Sequence, residues 1–327
     1  MTDPQHPRPN SAATDIRTHR LIYGCMGLGG TWDNQPYGAQ EIDDAHAAVE
    51  AALEIGVTAF DHADIYGNGK SEAVFGEVLT RTPGLRSRIL IQTKCGIHLP
   101  DGARAGYYDL RGPHIVRSVE QSLTRLRTDV IDVLLLHRPD PLAAPEEIAE
   151  ALTSLHRQGL VRHVGVSNMA AAQVAYLQAH LDLPLVVNQL QLSLAHRDWV
   201  EAGVLANTTQ SATLNFPLGT IEHCRSNRIG VQAWGALSKG RYTGLAQTPT
   251  EHATAEHVAA LAQQHDTTAE TILLWWLQRH PARIVPVIGT ARPERIRACA
   301  DALHRAPALT HEQWYELWFT ARGGPLP

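Results

Sequence analysis

Short apolar runs rich in β-branched residues alternate with amphipathic stretches almost from one end of this chain to the other. Eight runs read as strands, over residues 21–26, 57–61, 89–94, 130–136, 161–166, 185–189, 230–234 and 285–288. They are continuous rather than alternating, as expected of strands covered on both faces. The stretches between them carry helix punctuation. A helix over 41–55 is closed by Gly56, Pro113 opens one ending near Leu126, and Pro145 opens one ending near Gln158 and followed by Gly159. Thr267 with Glu270 reads as a capping pair, Pro293 opens a helix after the last strand, and Thr310 with Gln313 caps a final helix running towards Thr320. Residues 202–227 are the least regular, with a loosely bounded helix near 219–226.

Eight βα units over this length predict an α/β fold: a single (β/α)8 TIM barrel, about 250 residues being typical, with its active site at the C-terminal mouth of the strands. A doubly wound sheet is the competitor. It needs a G-x-G-x-x-G turn after the first strand, which the run from Gly24 to Gly30 does not match. That run continues through Thr31, Trp32 and Asp33 rather than into a helix. The domain reading is a polar, proline-containing tail over 1–19 and one barrel over 20–327.

Composition adds exclusions. The net charge of -5, with 44% hydrophobic and 19% charged residues, describes a globular chain without the basic face that nucleic acids or anionic membranes require. No apolar run approaches the roughly 20 residues of a membrane span, and the first 20 residues lack a signal-peptide core. Cys25, Cys95, Cys224 and Cys299 are scattered and suggest neither a zinc site nor a disulfide framework. A cytoplasmic setting is the expectation.

Only three of the 28 basic residues are lysines: Lys70, Lys94 and Lys239. Where arginine serves every ordinary need, a retained lysine points to a compact ammonium in a pocket. Lys94 ends a strand. Asp61, His137 and, just beyond the second strand, Tyr66 belong to the same mouth. A phenol with a pKa of about 10 is a poor acid at neutral pH. A neighbouring ammonium lowers that pKa, a carboxylate steadies the ammonium, and an imidazole can hydrogen-bond a carbonyl. The set is a proton donor for an oxygen that gains negative charge, and it needs a hydride source.

At this point the sequence resembles the aldo-keto reductase family over roughly 20–320. The motifs are F-D-H-A-D-I-Y-G at 60–67 with Glu72, Thr93-Lys94, L-L-L-H-R at 134–138, G-V-S-N at 165–168, N-Q at 188–189, Q-A-W at 232–234 and V-I-G-T-A-R-P-E-R-I at 287–296. Their shared order on successive strands carries the signal. The resemblance implies NADPH-dependent reduction of an aldehyde or ketone, with Tyr66 as general acid assisted by Lys94, Asp61 and His137. It implies Ser167, Asn168 and Gln189 on the nicotinamide carboxamide, and Trp234 stacked on its ring. Gly235, Ala236, Leu237, Lys239 and Arg241 fall at the pyrophosphate. Gly289, Thr290, Arg292 and Arg295 fall at the adenosine 2′-phosphate, and Thr31 and Trp32 join the cofactor set. His62 replaces a small hydroxyl residue of many members, and Gly289 a lysine of some.

Trp32, Tyr107 and Tyr108 lie in loops on the catalytic side and are assigned to an apolar substrate wall; the plainer reading has them stacking on one another. The tryptophan pairs 275/276 and 314/318 have helix spacing and read as packing. Two further functions stay open. One is a cofactor-holding redox-sensing or regulatory protein on the same scaffold. The other is a metal-assisted hydrolase using Asp61, His62 and Asp64, opposed by the opposite directions of neighbouring strand residues. No metal, nucleic-acid or membrane partner is expected.

Overall fold

The computed structural model describes residues 16–326. Ten strands form: β1 Ile22–Gly24, β2 Ala59–Asp61, β3 Leu90–Cys95, β4 Ile97–His98, β5 Tyr107–Tyr108, β6 Ile131–Leu136, β7 Val161–Ser167, β8 Leu185–Gln191, β9 Gly230–Trp234 and β10 Val285–Ile288. Eight close into a parallel barrel in the order β1-β10-β9-β8-β7-β6-β3-β2, and β4 with β5 forms a separate antiparallel hairpin. This is the expected (β/α)8 barrel, all eight expected strands included. The first strand is shorter than its apolar run, because the chain turns into a 3-10 helix at Cys25–Gly27. The hairpin has no counterpart in the sequence reading, since two-residue strands leave no periodicity to detect.

The helices that wrap the barrel follow their apolar stripes. In the helix Gly112–Leu126, Pro113 sits in the first turn, and Ile115, Val119, Ser122 and Leu126 face inward at helical spacing. In the helix Pro145–Arg157, Glu146 and Glu147 lie in the first turn, where the helix dipole favours them, and Ile148, Leu152 and Leu155 pack inward. The helix preceding both, Lys70–Arg81, was not marked by the sequence; its N-cap is Gly69, left-handed at φ 87°. The helix Ala269–Gln278 is capped one residue later than expected. Thr268 Oγ1 accepts from Thr271 N at 3.1 Å, while Thr267 donates to Asp301 at 2.6 Å. Trp276 of that helix stacks on Trp314 of His311–Arg322, with centroids 5.0 Å apart, and each indole N–H reaches the other's carbonyl. These tryptophans are core.

Inside the barrel, side chains of alternate residues form layers. Ile22, Ala59, Leu90, Val133, Leu135, Val187, Val285 and Val287 make the apolar layer, and Ile16 joins it at 2% exposure. Of the tail read at 1–19, residues 1–15 fall outside the described residues, and Ile16–Thr18 forms a 3-10 turn. Further along, the same inward phase reaches Asp61 on β2, Gln92 and then Lys94 on β3, His137 after β6 and Gln189 on β8, and Gln232 of β9 bonds to both Gln92 and Gln189. The barrel is therefore apolar below and polar at its mouth. Among the described residues no helix is long and apolar enough to cross a membrane.

Candidate active site

Lys94 is the hub of the mouth. Its ammonium, 1% exposed, donates to Asp61 Oδ2 at 2.7 Å, to the His62 carbonyl at 2.8 Å and to Tyr66 Oη at 3.1 Å. All three ammonium protons are thus used. Burial works against the charge, but Asp61 and Tyr66 outweigh it and the Lys94 pKa stands above its ordinary value. The Tyr66 phenol departs from expectation. Burial, the larger effect, raises its pKa, and the lowering by Lys94 does not cancel it. Charge proximity was legible in the sequence; the desolvation that opposes it was not.

His137 meets the Tyr66 ring edge-on at 6.1 Å. Burial, then the charges of Lys94 and Arg138, hold its pKa down at about 2, so the imidazole is neutral at any working pH. Its Nδ1 is buried without a partner. Behind the tetrad, Glu72 is fully buried and accepts from Thr93 at 2.6 Å and from Arg125 at 2.8 Å, which fixes β3 one residue before Lys94.

On the opposite wall, Gly165 of the G-V-S-N run lies within β7 and has to be glycine, because a Cβ there would meet the Val187 carbonyl at 2.7 Å. Asn168 is left-handed at φ 58° and uses both ends of its amide. Nδ2 donates to Ser167 Oγ at 2.8 Å, and Oδ1 accepts from the Trp234 indole at 3.0 Å. Ser167 Oγ in turn donates to the Gln189 carbonyl at 2.8 Å. The loop after Trp234 is contorted: Gly235, Ser238, Lys239 and Gly240 all have positive φ, and Ser238 Oγ is buried with no partner. Strain of this kind concentrates where a backbone is shaped for a ligand. Arg295 binds Thr243 of this loop and pairs with Glu270 at 3.2 Å, and Arg241 pairs with Glu251 at 3.3 Å. Lys239 and Arg292 have no ion-pair partner among the described residues. A Cβ on Gly289 would meet open space.

The three proposed wall residues separate. Trp32 meets the Tyr66 ring at 6.4 Å, on a loop fastened to the Tyr66 loop by Lys70–Asp33 at 2.8 Å and Asn68–Asn34 at 3.0 Å. Tyr107, on the hairpin, instead stacks on His98 at 4.4 Å, and Tyr108 lies beside it, 45% exposed. Asp61 and His62 face apart, as strand geometry requires: Asp61 binds Lys94, and His62 packs on Phe75 at 4.5 Å. Among the described residues, His98, Asp109 and His114 form the one group whose ligand atoms lie within 4.8 Å of one another. Arg111 already holds both Asp109 oxygens, at 2.9 and 2.6 Å, so that carboxylate has its counter-ion.

The residues that sequence reasoning missed are Gln92 and Gln232. Both are fully enclosed beneath the tetrad, and Gln92 donates to Asp61 Oδ1 at 2.6 Å. The signal was present, because Gln92 shares the inward phase of Lys94, two residues on.

Comparison with known proteins identifies the family. The model of the Aldo/keto reductase family matches residues 20–318. A 6-dehydroglucose reductase from Agrobacterium fabrum is 37% identical over 317 residues, covering 94% of this chain and 96% of the relative. The oxidoreductase YdhF of Escherichia coli is 36% identical over 282 residues, 85% of this chain and 88% of its own. Among solved structures, an aldo-keto reductase from Klebsiella pneumoniae in complex with NADPH superposes with a TM-score of 0.70 at 25% identity, covering 94% of this chain and 92% of that one. With the family model spanning almost the whole barrel and two relatives above 30% identity along most of its length, this chain belongs to the aldo/keto reductase family.

Proposed function

We propose that this chain reduces the carbonyl of a small aldehyde or ketone to an alcohol, with NADPH as reductant and Tyr66 as the proton donor. The carrying observation is the Lys94 ammonium placed between Asp61 at 2.7 Å and the Tyr66 hydroxyl at 3.1 Å in a buried pocket. Bound at the mouth, NADPH supplies hydride from C4 of its nicotinamide. Tyr66 gives its proton to the oxygen as negative charge gathers there, and Lys94 stabilises the phenolate left behind. Asp61 keeps the ammonium charged and in place. His137, neutral, offers a ring N–H to the same oxygen, and Trp32 covers the acid as part of the substrate wall, with Tyr107 and Tyr108 further out on the hairpin.

The site's donors fit such a cofactor. The Trp234 indole is half-buried and pinned by its N–H, an orientation that suits stacking on a flat ring. Ser167, Asn168 and Gln189 suit a carboxamide, and Thr31 with Trp32 borders the same opening. Gly235, Ala236, Leu237, Lys239 and Arg241, with the orphan hydroxyl of Ser238, suit a pyrophosphate. Gly289 leaves room beside Thr290, Arg292 and Arg295. The unpaired guanidinium of Arg292 favours a 2′-phosphate, and hence NADPH over NADH. Replacing Tyr66 by Phe is expected to abolish reduction of an aldehyde panel while NADPH still quenches tryptophan fluorescence. Retained turnover in that variant would remove Tyr66 from the role.

A further inference from the structure

Above the apolar layer lies a second interior layer made of amides. Gln92, Gln189 and Gln232 are 0%, 1% and 1% exposed and meet across the barrel. Gln92 Nε2 donates to Asp61 Oδ1 at 2.6 Å and to Gln232 Oε1 at 2.9 Å. Gln232 Nε2 returns a bond to Gln92 Oε1 at 3.0 Å, and Gln189 Nε2 donates to Gln232 Oε1 at 2.9 Å.

An isolated glutamine can turn its amide over at little cost, but this set has a fixed end. The Asp61 carboxylate, already holding Lys94, can only accept, so Gln92 must show it nitrogen. The reciprocal pairing then fixes Gln232, whose carbonyl faces the remaining glutamine. Gln189 must therefore turn its nitrogen inward, which leaves its carbonyl as the end away from the relay. Reversing any one amide would set like against like in a dry interior, oxygen against oxygen where Gln92 meets Asp61 or Gln189 meets Gln232 and N–H against N–H where Gln232 turns, and an unmet polar group there is costly.

We propose that Gln92 and Gln232 are positioning residues that transmit the acceptor character of Asp61 to Gln189, so that Gln189 presents a carbonyl to the NH2 of the nicotinamide carboxamide. The inference rests on the reading above that Gln189 meets that carboxamide. It ties cofactor recognition to the same carboxylate that holds the acid's lysine.

The test compares NADPH with its 3-acetylpyridine analogue, in which a methyl replaces the carboxamide NH2, by quenching of tryptophan fluorescence. The wild-type protein is expected to bind NADPH about tenfold more tightly than the analogue, because a site built to bond a group rejects the ligand lacking it. Gln232→Met keeps the volume but frees Gln189 to turn, and the ratio is expected to fall to about twofold. Gln92→Met breaks the relay one step earlier and is expected to do the same, which covers the case that one variant fails to fold. A ratio unchanged from wild type in either folded variant overturns the relay alone. Wild-type protein that quenches with neither nucleotide overturns the cofactor reading, and the relay with it.

Discussion

The two sides of the mouth are built on opposite rules. Around Lys94 the polar groups are enclosed and the groups bonded to the ammonium are committed: three ammonium protons placed, both Asp61 oxygens bonded, three amides interlocked. Around Arg292 and Lys239 the cations are exposed and unpaired. The first arrangement holds a reaction geometry that must not drift. The second keeps charge available for a ligand, and solvent screens it until something binds.

The harshest way to break this contrast is Lys94→Met. It strands the Asp61 carboxylate, 2% exposed, without its cation, and a broken buried pair costs about 3–5 kcal/mol. Carbonyl reduction is expected to fall by about a thousandfold, read as kcat, because proton donation loses its support. Wild-type kcat in a folded Lys94→Met protein would show that the enclosed side does not carry the chemistry.

His62 sharpens the contrast from the buried side. Burial, then Lys94, holds its pKa at about 3, against an ordinary 6.5. The unfolded chain takes up a proton as pH falls through about 6.5, and the folded chain does not until about 3. Stability from the neutral ring is therefore complete above 6.5 and is lost as pH falls below it, by about 1.4 kcal/mol per unit. Between pH 7 and pH 5, urea unfolding of His62→Leu should lose about 2 kcal/mol less than wild type. Parallel losses would mean the ring is protonated in the folded state.

The exposed side should yield smaller effects. Arg292→Ala is expected to raise the KM for NADPH by about tenfold and to leave that for NADH within about twofold, with the difference shrinking at high salt. Arg295→Ala should do less, because Glu270 already neutralises that guanidinium. If Arg295 proved the more damaging of the two, Glu270 must release it on binding.

What the sequence showed and what it hid follow the same division. Asp61, Lys94 and His137 were readable because each ends an apolar strand in the inward phase, and Tyr66 because it follows the first of them. The barrel was readable from the strands alone. Gln92 and Gln232 share the inward phase of their strands, but they bond across 140 positions of chain, so nothing nearby shows that they pair. The pairing of Arg295 with Glu270 is likewise a choice made by packing, which is why all the rim cations looked equivalent in one dimension. The hairpin of β4 and β5 escaped because so short a ladder has no pattern, and it carries Tyr107 onto His98 rather than onto Trp32.

One further consequence comes from Ile16. It belongs to the apolar layer directly below the glutamines, and it comes from ahead of the first strand. Trimming the chain through that position, or fusing a carrier there, acts on the reaction centre from underneath by admitting water to the amide layer. A purification handle belongs at the other terminus.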